Sequence, residues 1–174
     1  MKYLIVGAFL ISSLTASSQK GEDFFQLSNS KIAWQKVYET PKTKEQLITY
    51  FEEYKKFTAI RLVSDTIFAK LRPQAIDVNV FGTVGVPSLV NKCKYKGWVK
   101  IEMRDNKYRV TFNRLKLVGN GEILKKNAEQ TFEENFVRKD VSEYRPFFTK
   151  KPKDVYNHFF NAVFEIKIAK KDEW

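Results

Sequence analysis

Three kinds of residue in this chain could do chemistry: a thiol, an imidazole and a set of carboxylates. Cys93 and His158 are its single cysteine and single histidine. Counting therefore excludes both a zinc site built from Cys and His and an intramolecular disulfide. A nucleophilic thiol needs a base beside it. Cys93 falls on the apolar phase of an alternating stretch, which predicts a buried thiol, whereas His158 shares the polar side of a helical stretch with Asn161 and Glu165. Paired acids are the remaining route. Glu52-Glu53 and Glu133-Glu134 are sequence neighbours, which on a helix point about 100° apart and cannot share one substrate. A glycosidase-type pair assembled from separate segments stays open. The sequence contains no phosphate-binding glycine loop and no serine elbow. It implies no cofactor, no metal and no catalytic residue. The expected function is that of a non-enzymatic binding or assembly module of the cell envelope, with a hydrolase whose carboxylates come together from separate segments as the alternative.

Charge is the stronger signal. Lys and Arg number 31 against 20 acidic residues, a formal charge of +11, which favours anionic partners but also serves plain solubility. Many of these cations lie in residues 92–117. There Cys93, Tyr95, Gly97, Val99, Ile101 and Met103 alternate with Lys92, Lys94, Lys96, Trp98, Lys100, Glu102 and Arg104. After Asp105-Asn106, types that tolerate a left-handed backbone, Tyr108, Val110 and Phe112 alternate with Arg109, Thr111 and Asn113. The pattern predicts a hairpin with Met103 opposite Tyr108, Ile101 opposite Val110 and Val99 opposite Phe112, because the other register sets Glu102 or Arg104 beside apolar partners. The apolar phase then moves to Leu115 and Leu117, so a bulge is expected near Asn113-Arg114.

One face of this hairpin is apolar and the other basic. The candidate contact surface is Lys96, Trp98, Lys100, Arg104, Lys107 and Arg109, with Trp98 as a stacking platform for an anionic polymer. The competing reading is a solvated face whose charges prevent aggregation, with Trp98 packed against a neighbouring strand. The partners this surface suggests are an envelope protein, an anionic glycan or a lipid head group; an exported protein rarely meets nucleic acid.

The elements that must position this face follow from the rest of the chain. Residues 1–18 read as a signal peptide, from Lys2, an apolar run and small residues around Ala16. The run is shorter than a membrane span, and no cysteine stands near the cleavage site for lipidation. Export to the periplasm or beyond is expected, with no transmembrane anchor after cleavage. Residues 19–30 form a polar lead-in, and residues 31–174 a single domain, with 43% apolar and 15% aromatic residues available for a core. Residues 31–39 alternate as a strand, and Thr43 with Gln46 forms a capping box opening a helix over 44–57. Residues 58–71 read as strand with a possible break at Ser64-Asp65, and Ile76, Val78 and Val80 as a further strand. Residues 128–138 are assigned a short helix followed by a packed loop. From Pro152 a second long helix begins, with Lys170 and Lys171 at its C-terminal end.

These elements predict an α+β fold in which two long helices pack on one face of an antiparallel sheet. That order, with the Trp34 strand, the helix after Pro41 and the segment running from Val99 through Tyr108-Arg-Val-Thr-Phe112 to Asn113, resembles a secreted bacterial family of unknown function with a TATA-box-binding-protein-like (TBP-like) fold. The resemblance covers roughly residues 31–170. It implies export and that fold, carries over no catalytic residue, and implies no DNA binding.

Overall fold

The central hairpin forms in the register its side chains demand, and the remaining elements assemble around it. The computed structural model describes residues 23–81 and 85–167; the signal peptide, Lys170 and Lys171 lie outside the described residues. In chain order the elements are β1 (Phe25–Ser28), β2 (Lys31–Glu39), α1 (Lys44–Glu52), β3 (Phe57–Val63), β4 (Thr66–Gln74), a 3-10 turn (Val78–Phe81) and α2 (Ser88–Lys92). There follow β5 (Lys94–Arg104), β6 (Lys107–Val118), β7 (Glu129–Thr131), α3 (Phe132–Phe136), the small hairpin of β8 (Val137–Arg138) and β9 (Glu143–Tyr144), and α4 (Lys151–Phe164). Seven strands make one antiparallel sheet, β1-β2-β6-β5-β4-β3, with β7 joined to the far end of β6. The fold is α+β.

In the β5–β6 pair Met103 faces Tyr108, Ile101 faces Val110 and Val99 faces Phe112, and Asn106 in the turn takes φ 62°. The expected bulge is present. Trp98 pairs with Asn113 but Lys96 pairs with Lys116, so Arg114 and Leu115 stand opposite Gly97 alone, with Arg114 at φ 48°. Gly97 makes room for this. A Cβ there would lie 2.7 Å from both the Phe112 ring and the Asn113 carbonyl oxygen.

Both long helices cover the apolar face. Phe160 of α4 meets Trp34 at 5.8 Å, Tyr95 at 5.0 Å and Phe112 at 5.0 Å between ring centroids. Phe51 of α1 meets Tyr108 at 5.2 Å. The Tyr108 hydroxyl donates to the Phe164 carbonyl and accepts from the Ile166 N–H, at 2.9 and 3.0 Å, which ties the end of α4 to the sheet. At its other edge Trp34 donates its indole N–H to Asn157 at 2.7 Å.

Several expectations need correction. Helix α1 opens at the expected capping box but ends at Glu52, because Phe57 already pairs with Leu71 in β3. Ser64-Asp65 is the tight turn of the β3–β4 hairpin, with Ser64 at φ 52°. Residues 76–80 are not a strand: Asp77 accepts from the Asn79 N–H at 3.1 Å and starts a turn, and Val80 is 63% exposed. In place of a helix over 128–138 there are β7 and α3, the latter opened by a second capping box, Thr131 with Glu134. The lead-in is partly built, since Phe25 in β1 is buried against Phe148 and Phe160. Lys92 belongs to α2 and pairs with Glu122 at 3.0 Å, off the basic face.

Burying an Asp at position 101 or 112 sets an unpaired charge among apolar groups. Ile101→Asp and Phe112→Asp should each destabilise by more than about 4 kcal/mol, while Lys100→Ser should cost less than about 1 kcal/mol. Thermal or denaturant melts check this, and equal effects would refute the assigned faces. Gly97→Ala should cost about 1–3 kcal/mol by overpacking against Phe112; a neutral result would mean the bulge adjusts freely.

Candidate functional site

The side of the sheet turned away from the helices carries the predicted surface, but its cations are not uniform. Acidic residues divide it into two parts. Near the hairpin turn, Glu102 takes Lys100 at 3.0 Å and Arg109 at 2.8 Å. The hydrogen bond from Arg109, reinforced by Lys100, outweighs partial desolvation and holds the Glu102 carboxyl at about 2. Arg104, Lys107, Arg109, Tyr108 and Val37 join Glu102 around a hollow of about 230 Å³.

At the other end lies a shallow cleft of about 550 Å³ with Trp98 in it. Trp98 is 39% exposed and is flanked by a cation from each neighbouring strand. Lys70 of β4, its direct partner across the sheet, places Nζ 4.5 Å from the ring, and Arg114, delivered by the bulge in β6, places its guanidinium 5.7 Å away. Among the described residues neither cation has a carboxylate partner. Arg72, Lys96 and Lys116 also line the cleft. Lys96 and Lys116 stand directly opposite one another, an arrangement that repels unless an anion intervenes. Glu129 supplies it: one carboxylate oxygen pairs with Lys96, the other with Lys116 at 2.8 Å. The hydrogen bonds from Lys116 and then Lys96 hold the Glu129 carboxyl at about 2.

The six predicted residues therefore lie in two groups on the face. Lys96 and Trp98 belong to the cleft, whereas Lys100, Arg104, Lys107 and Arg109 gather at the turn, where Glu102 already engages Lys100 and Arg109. Trp98 is not a bare platform, since Lys70 and Arg114 lie against it. Sequence reasoning missed Lys70, Arg72, Arg114, Lys116 and Glu129. The predicted hairpin and bulge pointed to Arg114 and, by register, to Lys116 opposite Lys96; Lys70, Arg72 and Glu129 depend on strand pairings whose register no short turn fixes.

The remaining chemical candidates are committed elsewhere. Cys93 is buried just before β5, and burial pushes its thiol up, away from nucleophilic use. His158 is exposed on α4, edge-on to Phe159. Glu133 is buried and accepts from the Ile32 N–H at 3.0 Å, while Glu134 accepts from the Thr131 N–H at 2.8 Å in the capping box.

No model of a protein family matches this sequence, and no curated protein does. Among solved structures the chain is similar to a TBP-like protein from Parabacteroides distasonis, at 14% identity and TM-score 0.49 over 80% of this chain and 94% of that one. It is also similar to a DUF4468 family protein from Bacteroides ovatus, at 10% identity and TM-score 0.47 over 84% of this chain and 93% of that one. The first of these carries in its description the TBP-like fold named above as a resemblance.

Glu102 and Glu129 lie below their ordinary value of 4.5 in the folded protein. Their pairs stabilise above about 4.5 and are lost as pH falls toward about 2. Between those limits the variant Glu102→Gln/Glu129→Gln should lose less melting temperature on acidification than the wild type. Parallel losses would show that neither pair contributes.

Proposed function

We propose that this chain is an exported binding module of the cell envelope, without catalysis of its own, and that the open basic face of its sheet contacts an anionic polymer. The observation that carries the reading is the Trp98 cleft. A half-exposed indole holds Lys70 and Arg114 in place, and Arg72, Lys96 and Lys116 surround them. Ordered cations around an apolar stem bind anions with less loss of side-chain freedom than mobile surface lysines do. The predicted signal peptide supports a location where the partner is a component of the envelope.

Support for binding over hydrolysis comes from the state of the acids on this face. A carboxyl that donates a proton to a leaving group must hold it near neutral pH. Glu102 and Glu129 sit at about 2 and lie in separate hollows, each engaged by two cations.

Binding through these cations should weaken steeply with salt, by about tenfold or more between roughly 50 and 200 mM. Trp98→Ala should weaken it further by releasing Lys70 and Arg114. Titration of the purified protein against a soluble polyanion at both salt concentrations measures this. Salt-independent binding, or full affinity in Trp98→Ala, would reject the assigned surface.

A further inference from the structure

The cleft already contains one anion, its own. Glu129 reaches over from β7, a strand of three residues, and sets its two oxygens on Lys96 and Lys116. Those lysines face one another across the sheet, so an anion between them relieves their repulsion whether it comes from the chain or from outside. Glu129 is itself exposed, so it can exchange its lysines for water at small cost. Beside it, Lys70 and Arg114 remain without a carboxylate among the described residues and are held by Trp98.

Resting on the reading above, we infer that Glu129 is a built-in competitor occupying the seat of a ligand carboxylate, and that the ligand is a polysaccharide bearing uronic-acid groups. Binding is an exchange: a sugar carboxylate takes over Lys96 and Lys116, Glu129 turns to solvent, and a further carboxylate along the chain reaches Lys70 and Arg114. Two other polyanions fit less well. Base stacking needs a clear aromatic face, and the Trp98 ring has a cation on each flank. A lipid surface needs an apolar patch to insert, whereas the exposed apolar residues of this face are scattered: Val63 and Val37 stand at opposite ends of a cross-strand row through Thr66, Glu102 and Arg109, and Lys100 parts Trp98 from that row.

The test is titration of the full protein with polygalacturonate, with dextran, single-stranded DNA and anionic phospholipid vesicles as further arms, and thermal melts of every variant. Polygalacturonate should bind and dextran should not. Lys70→Ala should weaken binding, and Glu129→Gln should tighten it roughly two- to tenfold, the equivalent of releasing two exposed ion pairs. Glu129→Asp, which retracts the carboxylate by one methylene, should tighten it by a smaller factor and serves if Glu129→Gln melts early. Salt-dependent polygalacturonate binding that neither variant tightens would overturn the competitor role while leaving the basic-face reading intact. Binding to DNA or vesicles but not to polygalacturonate would overturn the ligand class. Binding to no polyanion at all would remove both this inference and the reading beneath it.

Discussion

The close approach of the Phe112 ring and the Asn113 carbonyl to Gly97 is the contact on which the rest depends. It lets β6 carry one more residue than β5 at this point, and three consequences follow. The apolar phase passes from Phe112 to Leu115 and Leu117 without losing burial. Arg114 emerges beside Trp98. Strand β6, paired with β2 as far as Asn113, is free beyond it to pair with β7 from Lys116 onward. That last change of partner brings Glu129 to Lys96 and Lys116. A single missing side chain thus links the aromatic core under the sheet to the arrangement of charge above it.

The two faces differ in what they contribute. Each large apolar residue buried between sheet and helices is worth on the order of 1.5–3 kcal/mol, and Trp34, Tyr95, Phe112, Phe160 and Phe164 are all enclosed. An exposed ion pair on the opposite face is worth roughly 0.2–1 kcal/mol. The fold is therefore set by the helix side, and the open side can carry a directly opposed pair of lysines, Lys96 and Lys116, that a stability-dominated surface would avoid. Those lysines are a local electrostatic conflict settled only by an anion between them.

What was legible in the sequence was local. The hairpin register, the bulge, the first capping box and the start of the last helix each depend on residues a few positions apart, where alternation and turn chemistry leave one solution. Alternation misled at Ile76, Val78 and Val80, because the period of two is also met when two residues pack inward and the chain turns between them; the Asp77 side chain, which takes the Asn79 N–H, was the contrary signal. The Thr131/Glu134 box was legible and would have moved the start of the short helix. The cleft was not. Lys70 meets Trp98 only through the β4–β5 register, and nineteen residues (75–93) separate those strands in the sequence. Glu129 meets its lysines only after β6 has changed partners.

The edges of the sheet leave little regular backbone for another chain to pair with. Edge strands invite pairing with another chain when they are long and regular. Here β1 has four residues. At the opposite edge β3 is interrupted between Thr58 and Arg61, where Ala59 takes φ 51°. Both edges are thereby poor templates for an added strand, and the helices close the apolar face. The open face is left exposing side chains, with Arg114, delivered by the bulge, and Lys70, delivered by the β4–β5 register, on either side of Trp98.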